Sequence, residues 1–286
     1  MKSVLLRNFI STVTETKLRI VSFSLVIAVT VIAIIAPFVV PVSAIFQLHI
    51  SQTLQPPSLE HPFGTDVYGR DLLQLCLLSI TTDIQVAYTV TAVSLAIGIL
   101  VGAMAGYSKQ LVDESLMRIT DVFLSIPAFI LAMAVAVAIG HSLYDLELAL
   151  IVTFWPAYAR IVRGQVLSER NKLYVDSLKL LNIPKRRVLF SHIMPNVIYP
   201  VIAFLTIQVG VTILFLSGLT FIGFGSGPFT PELGRIISDG LNYFFQAPWI
   251  ILYPGIVLSI LVFSFNLFGD ALRDVFDPRL KSIRRV

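Results

Sequence analysis

Residues 20–40 run 21 positions without a charged side chain, and that run limits the fold more than any other feature. A helix needs roughly 20 apolar residues to cross about 30 Å of hydrocarbon. Within lipid it is one of the few backbone forms that satisfies its own N–H and C=O groups. Several later stretches approach the same length. The chain is 56% hydrophobic and 13% charged, with a mean hydropathy of +0.85, whereas a soluble domain carries about 25% charged residues. The expectation is an all-α, multi-pass membrane protein.

Six spans are expected, at 20–40, 84–107, 117–140, 146–166, 197–219 and 249–267. The second carries Gly98, Gly102 and Gly106 at four-residue spacing, a pattern for close helix packing. The third contains Ile126-Pro127, and the fourth holds Glu147, Arg160 and Arg163 within or at its ends. The chain then divides into a cytoplasmic segment 1–19, the first span, an extracytoplasmic segment 41–83, a core 84–269 and a cytoplasmic tail 270–286. The core includes a cytoplasmic segment 169–196 and an extracytoplasmic segment 220–248. A cytoplasmic N-terminus puts every lysine and arginine except Arg70 and Arg235 on or near the inner side, as the positive-inside bias requires. The pI near 9.2 therefore reflects topology, and no nucleic-acid partner is expected.

Motifs for chemistry are absent. There is no G-x-x-x-x-G-K-[ST] phosphate loop, no H-E-x-x-H and no G-x-S-x-G elbow. His49, His61, His141 and His192 are scattered, so no metal site is expected, and the single Cys76 makes no intrachain disulfide. No catalytic residue is assigned. Asp121 lies one turn from Arg118 and is read as an interfacial pair or a cap at the helix entry, against a functional role within the span. No strong midplane carboxylate signals an ion-coupled carrier.

One polar insert is well patterned: "YVDSLKLLNIPKRRVLFSHIMPN", residues 174–196. A short helix is expected over 174–181 with Val175, Leu178 and Leu181 on one face. Asn182 suits a left-handed helix end, and Pro184 suits the first turn of a second helix. In that helix Val188, Phe190 and Ile193 would pack inward, and Lys185, Arg186 and Arg187 would face water or anionic lipid. Two short helices at an angle suit docking into another protein's groove, or they form a plain surface linker.

This stretch resembles the EAA motif of ABC-importer permeases, in the form of the dipeptide/oligopeptide/nickel permease family. Tyr174, Val175, Leu181, Arg187, Phe190, His192, Ile193, Pro195 and Asn196 match it. Asp176 stands for Glu, Ser177 and Leu178 for two alanines, and Asn182 for Gly. "HPFGTDVYGRDLL" (61–73), the stretch 218–255 and "FNLFGDALRDVFDPRLK" (265–281) are similar to the family's other signatures, and the arrangement is that of its C-type subunit. The sequence departs from the family at "QLCLLSITTDIQVAY", and Glu232-Leu233 lie where a tryptophan is usual.

The resemblance implies a type I ABC-importer permease fold with both termini cytoplasmic, in the cell membrane. It further implies that Tyr174, Val175, Asp176, Ser177, Leu178, Leu181, Asn182, Arg187, His192, Pro195 and Asn196 couple the chain to an ATPase. Gly64, Thr65, Asp66, Gly69, Arg70 and Asp71 would form an extracytoplasmic structural motif that braces the outer face or meets a binding protein. The implied partners are a second, B-type permease, two ABC ATPase subunits, an extracytoplasmic solute-binding protein and membrane lipid. ATP and Mg would be used by the ATPases and no cofactor held by this chain. The implied substrate is a di- or oligopeptide. Nickel, a metal chelate or an oligosaccharide is the alternative on the same architecture. An ion-coupled secondary carrier and a non-transporting scaffold are alternatives of other classes.

Overall fold

The fold is given by a computed structural model, which describes residues 17–41, 43, 46, 48–140, 142–225 and 229–276. The basic segment 1–16 and the tail 277–286 lie outside the described residues. The helices are α1 Lys17–Val39, α2 Leu72–Tyr107, α3 Gln110–Ser125, α4 Ala128–Ile139, α5 Leu143–Arg170, α6 Leu173–Leu180, α7 Lys185–Val188, α8 Met194–Ile222, α9 Leu233–Gly240 and α10 Trp249–Phe276. A π-turn, Leu189–Ile193, joins α7 to α8 without a break. The only strand-like pairing among the described residues is an antiparallel bridge between Thr65 and Asp71.

Four helices, α1, α2, α8 and α10, are long and apolar enough to cross a membrane, and a fifth span results if the bent pair α3–α4 counts as one. Three features differ from the sequence expectation. Helix α2 starts at Leu72 rather than 84, because the Asp71 carboxylate accepts the N–H of Gln74 at 2.9 Å and caps it. The expected third span is broken. Pro127 disfavours helical backbone at the residue before it, Ile126 is extended (φ −92°, ψ 132°), and α3 and α4 meet at 91°. The expected fourth span lies inside α5, whose Glu147, Arg160 and Arg163 keep it out of the span-length apolar set.

Helices α2 and α5 run side by side in the same direction. A Cβ at Gly98 would collide with Tyr158 and one at Gly102 with the Ala159 carbonyl. At Gly102 it would also come within 2.8 Å of Val162 Cβ, and at Gly106 within 2.9 Å of Val166 Cβ. The glycines thus let two backbones approach to a distance that any side chain forbids.

Three apolar clusters fill the rest. The first joins α1, the start of α2, α8, α9 and α10 through residues such as Leu72, Ile84, Ile213, Leu233, Ile250 and Phe265. The second packs mid-α2, α4, α5 and α8 around Val90, Ala132, Leu146, Leu150 and Leu216. The third lies below α6 and α7. Four buried hydroxyls satisfy themselves locally. Ser79, Thr153, Thr212 and Ser264 each donate to the carbonyl four residues back, at 2.6–2.8 Å, so they add no unpaired group to the apolar interior. Large apolar side chains such as Phe38, Ile130, Val137 and Phe263 stay exposed, a surface suited to lipid or protein and not to water.

Overpacking a filled contact costs about 1–3 kcal/mol, so Gly102→Ala should lower the thermal midpoint of the purified protein. Gly164, in α5 with nothing within 4 Å of an added Cβ, should accept alanine and gain roughly 0.5–1 kcal/mol. Melting curves of the two variants side by side check this.

Candidate functional site

The segment 174–196 folds at the junction of α5, α6 and α8. Val175, fully buried, anchors α6 in the third cluster with Ala103 of α2, Val162 and Val166 of α5, and Val188, Ile193 and Val197. Leu178 and Ile183 pack against the same cluster. The end of α6 closes as a Schellman turn. Asn182 sits at φ +53°, its N–H donates to the Lys179 carbonyl at 3.0 Å, and the Ile183 N–H donates to the Leu178 carbonyl at 3.3 Å. That is the left-handed end expected at Asn182. Pro184 (φ −55°) then precedes α7 as its N-cap.

Two expected inward residues face out instead. Leu181 is 72% exposed and Phe190 58% exposed. Each three-residue step falls about 60° short of a full helical turn, so Leu181 lies about 120° away from Val175. At the second site Leu189 takes the inward place in the π-turn and Phe190 is turned away. Leu173, Leu180 and Leu181, at i, i+7 and i+8, form an exposed apolar stripe with Ser177 between them. Asp176 pairs with Lys179 at 2.7 Å, both more than half exposed. Lys185, Arg186 and Arg187 are exposed.

A polar knot ties α6 to both neighbours. The Tyr174 hydroxyl donates to Glu169 Oε1 at 2.8 Å, and Lys172 pairs with Glu169 Oε2 at 2.5 Å. The Asn196 amide donates to the Tyr174 hydroxyl at 3.3 Å and to the His192 carbonyl at 3.1 Å. His192 Nδ1 lies 3.2 Å from the Arg187 carbonyl, and Pro195 occupies the first turn of α8. Burial pushes the Glu169 carboxyl up. The hydrogen bonds and charge of Lys172, with Tyr174 and Asn196, outweigh that and leave it below its ordinary value. Burial and the Glu169 carboxylate hold the Tyr174 phenol up, as a donor. Glu169 lies outside the family motif, and its one sequence signal is an acid five residues before Tyr174.

Ion pairs fasten α3 to α5 beside this knot. Arg163 grips Asp113 with two bonds, at 2.5 and 2.7 Å. Asp121 pairs with Arg160 at 2.5 Å, across helices and not with Arg118 as the sequence spacing suggested. Arg170 donates to the Gly106 carbonyl at 2.7 Å, joining the ends of α5 and α2.

At the far end, residues 61–71 make a compact turn that starts α2. Asp66 and Arg70, both buried, form an ion pair at 2.6 Å. The other Asp66 oxygen accepts the N–H groups of Tyr68 and Arg70. Gly64 and Gly69 hold φ near +77°, and an added Cβ at Gly64 would lie 2.8 Å from the Trp249 ring. The Trp249 indole donates to the Thr65 carbonyl at 3.2 Å, and His61 Nδ1 lies 2.8 Å from Asp71 Oδ2. The six residues of this motif are thus brought together as a brace between α2 and α10. Among the described residues no group of His, Cys, Asp and Glu could hold a metal ion.

Residues 98–282 match the family described as "binding-protein-dependent transport system inner membrane component". The chain belongs to that family. It is 34% identical to a dipeptide transport system permease protein of Alkalihalophilus pseudofirmus over 94% of this chain and 88% of that one. A peptide transport system permease protein of Brucella suis is 38% identical over 81% and 78%. The fold is similar to a chain of the MetNI methionine ABC transporter in an inward-facing conformation. The TM-score is 0.58 at 17% identity, with 72% of this chain and 98% of that one covered. The family member described here is a protein of the cell membrane.

A carboxylate held below its ordinary value stabilises the fold above that value, and the gain is lost as pH falls through the folded-state value. Glu169→Gln should therefore cost about 1–2 kcal/mol at neutral pH, and the gap to wild type should close as the medium is acidified below the usual carboxylate range. Thermal melts across pH check this. Arg70→Ala leaves the Asp66 carboxylate buried and unpaired, with a loss of about 3–5 kcal/mol. The same melts, with protease sensitivity of the 61–71 turn, measure it.

Proposed function

We propose that this chain is the transmembrane permease subunit of an ATP-driven importer of di- or oligopeptides. On this reading α6 is the helix through which separate ATPase subunits move it. One arrangement supports the reading above all. A short helix is tied by its inner side to both α5 and α8 and presents the Leu173-Leu180-Leu181 stripe outward, in a chain of this family. An exposed apolar stripe on a helix suits a groove on another protein. The transport names of the relatives favour a peptide as substrate.

The proposed topology has six spans, α1, α2, the bent pair α3–α4, α5, α8 and α10, with both termini cytoplasmic. α6 then stands at the cytoplasmic face and the 61–71 brace at the outer one. The proposed assembly adds a B-type permease, two ATPases that use ATP and Mg, and an extracytoplasmic solute-binding protein. This chain contributes no catalytic group. ATPase closure displaces α6. The Tyr174–Glu169 and Asn196–Tyr174 bonds pass that displacement to α5 and α8, which tilt between inward- and outward-facing states.

Asn182→Pro tests the joint. Proline fixes φ near −65°, removes the N–H that bonds the Lys179 carbonyl, and is incompatible with φ +53°. With a strain of ~3 kcal/mol or more on the turn, uptake of a labelled dipeptide by cells carrying the complete transporter should fall at least ~10-fold. The chain should still reach the membrane, and Asn182→Gly should transport normally. Full uptake by Asn182→Pro would overturn the assignment.

A further inference from the structure

We propose that this chain holds the phosphate headgroup of an anionic phospholipid in a cavity beside α6. The cavity, about 240 Å³, is lined by Arg170, Lys179 and Lys185 and by the apolar surfaces of Tyr107, Ile183 and Val188. The three cations come from the end of α5, the end of α6 and the start of α7, so the fold and not one stretch of sequence gathers them. Their charge is poorly neutralised. Arg170 spends Nη1 on the Gly106 carbonyl and makes no further hydrogen bond among the described residues. Lys179 meets only the exposed Asp176, and Lys185 has no ion pair among the described residues. Of the other nearby acids, Asp113 feels the Arg170 charge but is gripped by two bonds from Arg163, and Glu169 is bonded by Lys172 and Tyr174.

The lining has two characters, and a phospholipid has both. The cations suit a phosphate diester, whose charge-assisted hydrogen bonds are the strong kind. The Tyr107, Ile183 and Val188 surfaces suit the glycerol and the first acyl carbons, which free inorganic phosphate would leave unused. The position fits as well. Tyr107 ends the second apolar run expected to span, 84–107, which on the proposed topology puts the cavity at the cytoplasmic headgroup level. Basic pockets between spans on the cytoplasmic side recognise such headgroups. The inference rests on the proposed reading that this end faces the cytoplasmic leaflet.

The test uses the complete transporter, purified with its partner subunits and exchanged into nanodiscs of phosphatidylglycerol mixed with phosphatidylcholine. Native mass spectrometry of the released complex counts retained lipid for wild type, the double variant Lys179→Gln/Lys185→Gln, and Lys185→Glu. Wild type should retain phosphatidylglycerol preferentially, and that preference should fall roughly tenfold in the double variant and further in Lys185→Glu. Three results would each overturn the proposal: equal retention in all three proteins; protection of wild type by millimolar inorganic phosphate with no retained lipid, which assigns the site to a free anion; or loss of ATPase subunits from the double variant with lipid preference unchanged, which assigns the lysines to a protein contact. Failure of the functional reading is seen separately, as absence of ATPase subunits from the wild-type preparation, because lipid retention by this chain is still read there.

Discussion

The close approach of α2 and α5 at Gly98, Gly102 and Gly106 is the contact on which the rest of the structure depends. In an apolar solvent the hydrophobic effect gives helices little reason to associate. Dispersion between closely fitted surfaces must supply the attraction, and that attraction needs atoms about 3.5–4.0 Å apart over a long seam. The three glycines make such a seam against Tyr158, Ala159, Val162 and Val166. Everything at the α6 end is then positioned by it. Val162 and Val166 floor the cluster that receives Val175. Arg170 reaches Gly106, and Glu169 stands where Tyr174 and Lys172 can bond it.

Polar contacts complete what packing begins. The Asp113–Arg163 and Asp121–Arg160 pairs fasten the amphipathic α3 across α5 and so fix where the 91° bend at Ile126-Pro127 can point. At the other end, Asp66 and Arg70 pair within one turn of chain. The buried carboxylate is satisfied by its own turn, while Trp249 and Thr65 join that turn to α10. The carboxylate of the brace is satisfied within its own turn, and the α6 knot holds by crossing between elements.

Much of this was legible in the sequence, and the limits have physical reasons. Apolar runs marked α1, α8 and α10 because lipid demands length and apolarity together. The glycine spacing announced a close helix contact on α2, though not that α5 makes it, and Asn182 before Pro184 announced a left-handed turn. What escaped depends on partners distant in sequence. Glu169 carries only a weak local signature, an acid five residues before Tyr174, since its meaning comes from Tyr174 and Asn196 arriving from other helices. Asp121 has Arg118 within one turn, yet the fold offers it Arg160. The faces of Leu181 and Phe190 turn on small angular differences, a 60° deficit per three residues in one case and a π-turn in the other, which apolar patterning does not resolve.

The two sides of α6 differ in kind, and under the proposed function that difference is what a coupling helix needs. Its inner side is held by groups with fixed geometry: Val175 with no exposure, a hydrogen bond of 2.8 Å to Glu169, and an amide from Asn196. Its outer side carries Leu173, Leu180 and Leu181, all exposed among the described residues, with the Ser177 hydroxyl bonded only within α6. A soft inner contact would absorb a push as local motion of α6 alone. A directional network tied to both α5 and α8 converts the same push into displacement of two long helices, because moving α6 without them would break the charge-assisted Tyr174–Glu169 bond to α5 and the Asn196–Tyr174 bond to α8. The same logic explains why the joint closes on Asn182. A Schellman turn with both of its hydrogen bonds in place fixes the angle at which α6 leaves for α7, so a displacement delivered to the stripe keeps its direction as it enters α8.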